Sequence, residues 1–325
     1  MTAEYKPRID FENRTPLEKV IPLSTPYLVF LDPSDKCNLH CKFCPTGTGE
    51  ALKYKKPHIM SLALYYKIIS DLCDMPEPVK TLRLYSDGEP LLNPNLPSMV
   101  FYAKVTGRFG KIDTTTNGSL LNPNLNERLV DSGLDRLIVS VPVDYTVRYA
   151  RNVEHFYKVS RESSCEVYVK IIGTNLSQDD IDCFLKTFRD ISDRIFIENL
   201  SPCWPGYDIK TTKPITGIYG QEPNAPRVVC PYVFYSLKIN SDGTVSNCFL
   251  DWRHSMILGD LNHESFGSVW NGVLLRAIQI IMLRGHRAAL GVCGSCGQLQ
   301  YGAPDNIDPF AEMLCERIEN ADKNH

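Results

Sequence analysis

Between residues 27 and 200 the chain repeats one pattern: a short apolar or β-branched run, a turn signal, then a stretch with helical periodicity. The runs at 27–31, 81–84, 111–115, 136–141, 166–172 and 194–197 have the length and composition of strands. Helical spacing fills 62–74, 96–107, 125–132, 153–162 and 179–190. Six strands separated by five helices predict an α/β fold on a parallel sheet, because each helix must carry the chain back to the same end of that sheet. Asn93-Pro94, Asn117-Gly118 and Asn122-Pro123 punctuate the connections between strand and helix candidates. In such folds the loops leaving the strand ends build the active site.

The pattern stops at Leu200. Ser201-Pro202, Trp204-Pro205-Gly206, Glu222-Pro223 and Ala225-Pro226 interrupt any long element. The expected organisation is an N-terminal extension (1–26), a main domain (27–200), a linker (201–229) and a C-terminal domain (230–325). In the last of these, 235–239, Asp242-Gly243 and 245–248 read as a hairpin, and 265–283 as a helix or a broken pair.

Composition narrows the function classes. With 325 residues and 43% hydrophobic content the chain can bury a large core plus a smaller annex. A net charge of −3 and an isoelectric point near 6.2 lack the basic footprint that nucleic acid or an anionic membrane demands. The first twenty residues contain no apolar signal core, and no stretch approaching a membrane span is expected. Twelve cysteines in such a chain point to a reducing, cytoplasmic setting, where thiols serve metals or catalysis and not disulfides.

Three of them sit together directly after the first strand, at Cys37, Cys41 and Cys44. Three thiolates on one loop can converge on a metal cluster. A structural zinc site would need a fourth ligand, and His40 is awkwardly placed beside Cys41. Three ligands on a four-iron cluster leave one iron open to bind another molecule. The competing interpretation is three small buried side chains.

This Cys-x3-Cys-x2-Cys loop, with Phe43 before its last cysteine, resembles the signature of the radical S-adenosylmethionine (SAM) superfamily. The resemblance implies a partial (β/α)6 barrel and a 4Fe-4S cluster whose open iron takes SAM. An electron from a flavodoxin- or ferredoxin-type donor then releases a 5'-deoxyadenosyl radical that abstracts hydrogen from substrate. Ser86-Asp87-Gly88-Glu89-Pro90 resembles the family's Gly-Gly-Glu-Pro motif, with Asp87 in place of the first glycine. By this resemblance Phe43, Gly88, Glu89, Asn117 and Ser140 contact SAM. Asn117-Gly118 also fits an ordinary turn, and Ser140 a satisfied hydroxyl.

Cys230, Cys248, Cys293 and Cys296 form a second set, one before the hairpin, one at its end and two in a Cys-x2-Cys pair. The region resembles the SPASM and twitch domains of radical SAM enzymes. Four thiols imply one auxiliary 4Fe-4S cluster, the twitch-like arrangement. A tetrahedral zinc site stays open as the alternative, and with it a non-enzymatic zinc-ribbon protein.

Among the remaining cysteines, Cys73, Cys165 and Cys183 are expected to pack as small apolar residues. Cys203 follows the sixth strand, where a thiol could return a hydrogen atom to a substrate radical. Glu198 is a candidate base, with Asp144, Tyr145, Arg148, Lys170 and Asn199 as further polar groups near strand ends. The resemblance implies a small-molecule substrate, a sugar or aminocyclitol whose alcohol is oxidised. Epimerisation through Cys203 is one alternative. Peptide maturation is another, although the 36 residues before Cys37 leave no room for a fused leader-binding domain.

Overall fold

The computed structural model describes every residue except 1, 10, 13, 210–214, 303–304 and 323–325. The six expected strands are present as β2 (Leu28–Leu31), β3 (Val79–Arg83), β4 (Phe109–Thr116), β5 (Arg136–Ser140), β6 (Glu166–Ile172) and β7 (Arg194–Glu198). They pair in parallel and in chain order. The helices Leu62–Cys73, Leu96–Val105, Pro123–Asp131, Val147–Ser160 and Gln178–Phe188 return the chain between them. This is the partial (β/α)6 barrel expected from the sequence.

Two-residue alternation decides what each strand faces. In β6, Val167, Val169 and Ile171 are buried in the apolar core, whereas Glu166, Tyr168, Lys170 and Ile172 line the central cavity. The fourth helix starts six residues before its expected position because the Thr146 hydroxyl accepts a hydrogen bond from the Tyr149 amide and satisfies the first turn.

The sheet extends beyond the barrel on both sides. β1 (Glu4–Tyr5) pairs in parallel with β7, and Leu17 and Ile21 enter the core, so the N-terminal extension is tied into the fold at these described residues. On the other edge, β8 (Ser236–Ile239) pairs in parallel with β2, setting Lys238 beside Phe30. β9 (Thr244–Ser246) and β10 (Ile257–Asp260) continue the sheet antiparallel, making ten strands among the described residues.

The stretch at 266–283 corrects one expectation: by length and composition alone it reaches the apolarity of a membrane span. It is broken into helices Phe266–Trp270 and Val273–Leu283, and its apolar face, including Phe266, Leu275 and Met282, is buried in the core.

Candidate active site

Cys37, Cys41 and Cys44 border one end of a cavity of about 940 Å³ that occupies the barrel interior. Their loop turns tightly, with the Cys44 amide bonded to the Cys41 carbonyl. A Cβ on Gly47 would stand 2.6 Å from the Cys41 backbone, so this approach requires glycine. Burial raises all three thiols, Cys44 to about 11, while amides of Leu39 and Asn38 at Cys37, and of Gly47 and Thr46 at Cys44, pull the other way. Those amides favour sulfur in its anionic form, the form that binds iron.

The loop after β3 lies against the cysteine loop. A Cβ on Gly88 would meet the Ser34 and Lys36 carbonyls at 2.2 and 2.4 Å, so no side chain fits there. Glu89 is buried and accepts from Thr116 Oγ1 (2.6 Å), Asn117 N (2.7 Å) and Leu91 N (3.0 Å). A carboxylate offers about four acceptor positions, so one remains. Asn117 Nδ2 donates to Asn38 Oδ1 at 3.0 Å and stands 4.0 Å from Cys37 Sγ. Phe43 and Ser140 also line the cavity.

Asp87 keeps a negative φ: among the described residues only His254 (φ 52°) is a non-glycine in the left-handed region. The Asp87 carboxylate receives Lys238 Nζ at 2.6 Å, His254 Nε2 at 3.1 Å and Lys55 Nζ. Burial alone would raise its pKa, but Lys238 and Lys55 hold it well below the usual carboxylate range. Asp32, whose Oδ2 accepts the Asp87 amide, moves the other way, to about 7, through burial and the charge of Asp87.

Farther along the cavity, Glu198 joins Arg8 Nε at 3.0 Å to Lys170 Nζ. Tyr85 Oη accepts from Arg8 Nη1 (3.0 Å) and Arg83 Nη1 (3.2 Å). Burial raises that phenol, but the two guanidiniums lower it below its ordinary value. Cys203 lines the same cavity, and burial, aided by Cys296, raises its thiol far above the ordinary range.

The second cysteine set borders its own buried cavity, with Arg287 and Asp251. Arg287 Nη1 donates to the Cys293 and Cys296 carbonyls at 2.7 and 3.1 Å, fixing the Cys-x2-Cys turn. The amides of Leu250 and Gln298 each lie 3.4 Å from a sulfur, of Cys248 and Cys296 respectively. Tyr232, Leu250 and Gln298 line both cavities, so one layer of side chains separates them. Among the described residues no three Cys, His, Asp or Glu side chains converge closely enough for a single metal ion.

The family model of the radical SAM superfamily matches residues 31–189, and that of SPASM, an iron-sulfur cluster-binding domain, matches 230–297. The chain belongs to the radical SAM superfamily. A GTP 3',8-cyclase of Syntrophomonas wolfei is 33% identical over 110 residues, which cover 33% of this chain and 32% of the cyclase. The chain thus spans well under two thirds of the length of the curated relatives it matches first. The crystal structure of BtrN in complex with AdoMet and 2-DOIA aligns with a TM-score of 0.58 at 17% identity, covering 87% of this chain and 97% of BtrN. Streptococcus suis SuiB bound to precursor peptide SuiA aligns with a TM-score of 0.60 at 18% identity, covering 87% and 72%. At these identities both structures speak to the fold alone.

The cofactors of this radical SAM protein are a 4Fe-4S cluster, SAM and auxiliary iron-sulfur in the SPASM domain. The thiol sets fit: each borders a cavity, with backbone amides directed at sulfur. The two family matches remove the zinc-ribbon alternative.

Of the polar groups named from sequence, Lys170, Glu198 and Asn199 line the barrel cavity. Asp144, Tyr145 and Arg148 are not among its lining, and Tyr145 instead bonds Thr187. Cys165 is buried as expected, but Cys183 is exposed. The sequence reading missed Arg8, Arg83, Tyr85 and Tyr219. Arg83 and Tyr85 carried a signal in their i, i+2 spacing at and just beyond the end of β3, whereas Arg8 and Tyr219 carried none.

Proposed function

We propose that this radical SAM protein oxidises an alcohol carbon of a polyol, a sugar or aminocyclitol, by two electrons. The observation that carries this reading is the contact between the two cavities, where Tyr232, Leu250 and Gln298 face both the barrel interior and the SPASM thiols. An electron left on a substrate in the barrel then has a short way to the auxiliary site.

In this reading Cys37, Cys41 and Cys44 hold the SAM-binding cluster, and Cys230, Cys248, Cys293 and Cys296 hold one auxiliary 4Fe-4S cluster. Phe43, Gly88, Glu89, Asn117 and Ser140 bind SAM. Together these groups supply a 5'-deoxyadenosyl radical that removes a hydrogen atom and an acceptor for the second electron, with reducing equivalents from a flavodoxin- or ferredoxin-type partner. Glu198 takes the hydroxyl proton. Burial would raise its pKa, but Lys170 and Arg8 lower it and keep the carboxylate ionised. A weak base suffices, because a carbon-centred radical makes its own hydroxyl far more acidic. Lys170 and Arg8 orient Glu198 toward the cavity.

The test is anaerobic turnover of the reconstituted protein with SAM, reductant and a panel of sugars and aminocyclitols. A hydroxylated substrate that yields 5'-deoxyadenosine and a ketone in equal amounts is expected. Stimulation of SAM cleavage by peptides alone would reject the reading in favour of peptide maturation.

Cys203 supports a second reading, epimerisation. It lines the barrel cavity and its raised pKa keeps it as S–H, the state a hydrogen donor needs. Deuterium from D2O entering an isomerised product, and lost in Cys203→Ala, would establish it. Persistence of deuterium in that variant would remove Cys203 from the role.

A further inference from the structure

In one part of the barrel interior, cations outnumber the carboxylates they pair with. Arg8 and Lys170 share Glu198, and Lys111 and Arg136 share Glu166. Arg83 faces Asp113, with its Nε 3.5 Å from Oδ2 and no hydrogen bond made by that Nε. Among these described groups five cations meet three carboxylates, in a chain whose net charge is −3. Arg194 is paired with Glu4 at the sheet edge, and Arg14 with Asp305.

A second observation points to the same place. Tyr219, from the segment after β7, lines the cavity, and its hydroxyl is buried without a hydrogen-bond partner among the described residues. Its ring is held by Phe11 and Phe196, at centroid distances of 5.5 and 6.2 Å. Tyr219 lies within electrostatic range of both Arg8 and Arg83, whose guanidiniums meet at Tyr85 Oη. An unpaired buried hydroxyl is costly unless a ligand completes it, and the half-buried cations beside it favour an anionic one.

We propose that Arg8, Arg83 and Tyr219 form an oxyanion site inside the barrel that binds a phosphate group of the substrate. The proposal rests on the polyol reading above and narrows it to a phosphorylated polyol. Guanidiniums present paired N–H donors that match phosphate oxygens, and a phosphate monoester carries close to two negative charges for these cations to meet. Tyr219 donates its unused hydroxyl proton to one of those oxygens. The phosphate anchors one end of the substrate and leaves its carbon chain to reach the strand ends, where Ser140, Lys170 and Glu198 line the cavity.

Calorimetric titration of the anaerobic, cluster-loaded protein with SAM tests this, using inorganic pyrophosphate as probe, with glucuronate and glucose alongside. Pyrophosphate is expected to bind saturably at one site. Affinity should fall about tenfold in Arg83→Gln and about fivefold in Tyr219→Phe. Tyr219→Phe removes only an unpartnered hydroxyl, so it keeps the test valid if Arg83→Gln fails to fold. Absence of saturable pyrophosphate binding, equal affinity in wild type and Tyr219→Phe, or tighter binding of glucuronate than of pyrophosphate would each overturn the proposal. The two readings fail separately. Wild-type protein that binds pyrophosphate but oxidises no polyol loses the polyol reading and keeps the site, and the converse loses the site alone.

Discussion

The ammonium of Lys238, fully buried on β8, lies 2.6 Å from the carboxylate of Asp87, two residues before Glu89. One partner belongs to the SPASM half of the chain and the other to the loop that resembles the SAM-binding motif. With Lys55 and His254 on the same carboxylate oxygen, the cluster joins the two halves at that loop.

Lys238→Met should lower stability by about 2 kcal/mol, less than a fully orphaned buried charge costs, because Lys55 and His254 remain on Asp87. Asp87→Gly, which restores the family's residue, should cost more, since it strands the buried ammonium of Lys238 and leaves Lys55 only Asp35, at 3.6 Å. In the double variant the losses should not add, and strict additivity in thermal unfolding would argue against the pairing. The depressed pKa of Asp87 means that its contribution is complete above the ordinary carboxylate range and is lost only as pH falls below it.

Asp32 has the opposite sign. Its pKa is raised to about 7 by burial and by the charge of Asp87, so the neutral form is the stabilising one. That stability is present in full below the ordinary value near 3.8 and disappears as pH rises through about 7. Asp32→Asn should therefore match wild type near pH 4 and exceed it at pH 8 by on the order of 2–4 kcal/mol. Parallel stability curves from pH 4 to pH 8 would show that Asp32 does not titrate in this way.

Replacing Cys37, Cys41 and Cys44 together by Ala should abolish reductive cleavage of SAM while leaving the auxiliary iron in place. Assay of 5'-deoxyadenosine beside iron and sulfide analysis checks both halves of this statement. Undiminished cleavage would mean that the SAM-binding iron is held elsewhere.

The quadruple variant Cys230→Ala, Cys248→Ala, Cys293→Ala, Cys296→Ala should retain one 4Fe-4S cluster per chain and some SAM cleavage, and lose two-electron oxidation of substrate. Four thiols around one cavity give this expectation. Electron paramagnetic resonance of the reduced protein counts the clusters, and two remaining clusters would displace the assignment.

The barrel was legible because its signals are local. The strand composition of 166–172 and the Asn122-Pro123 turn signal each lie in or beside the element they fix. The cysteine loop was legible for the same reason, its three thiols falling within eight residues. Arg8, Tyr219 and Lys238 were not. Each acts on a partner at least 77 residues away, as Arg8 does on Tyr85 and Glu198, and nothing in the surrounding sequence announces such a pairing. The attachment of β1 and of the hairpin to the two sheet edges escaped for a related reason. β1 has two residues and β8 four, too short for periodicity to name their neighbours.

The parallel pairing of β8 with β2 has a practical corollary for anyone dissecting this protein. Cutting ahead of Cys230 would not release a tidy catalytic half. It would strip the flank of Leu28–Leu31, leaving an apolar ribbon with open hydrogen-bonding groups that invites chains to stack edge to edge. The iron-sulfur annex thus doubles as the stave that seals the barrel's first strand from its neighbours in solution.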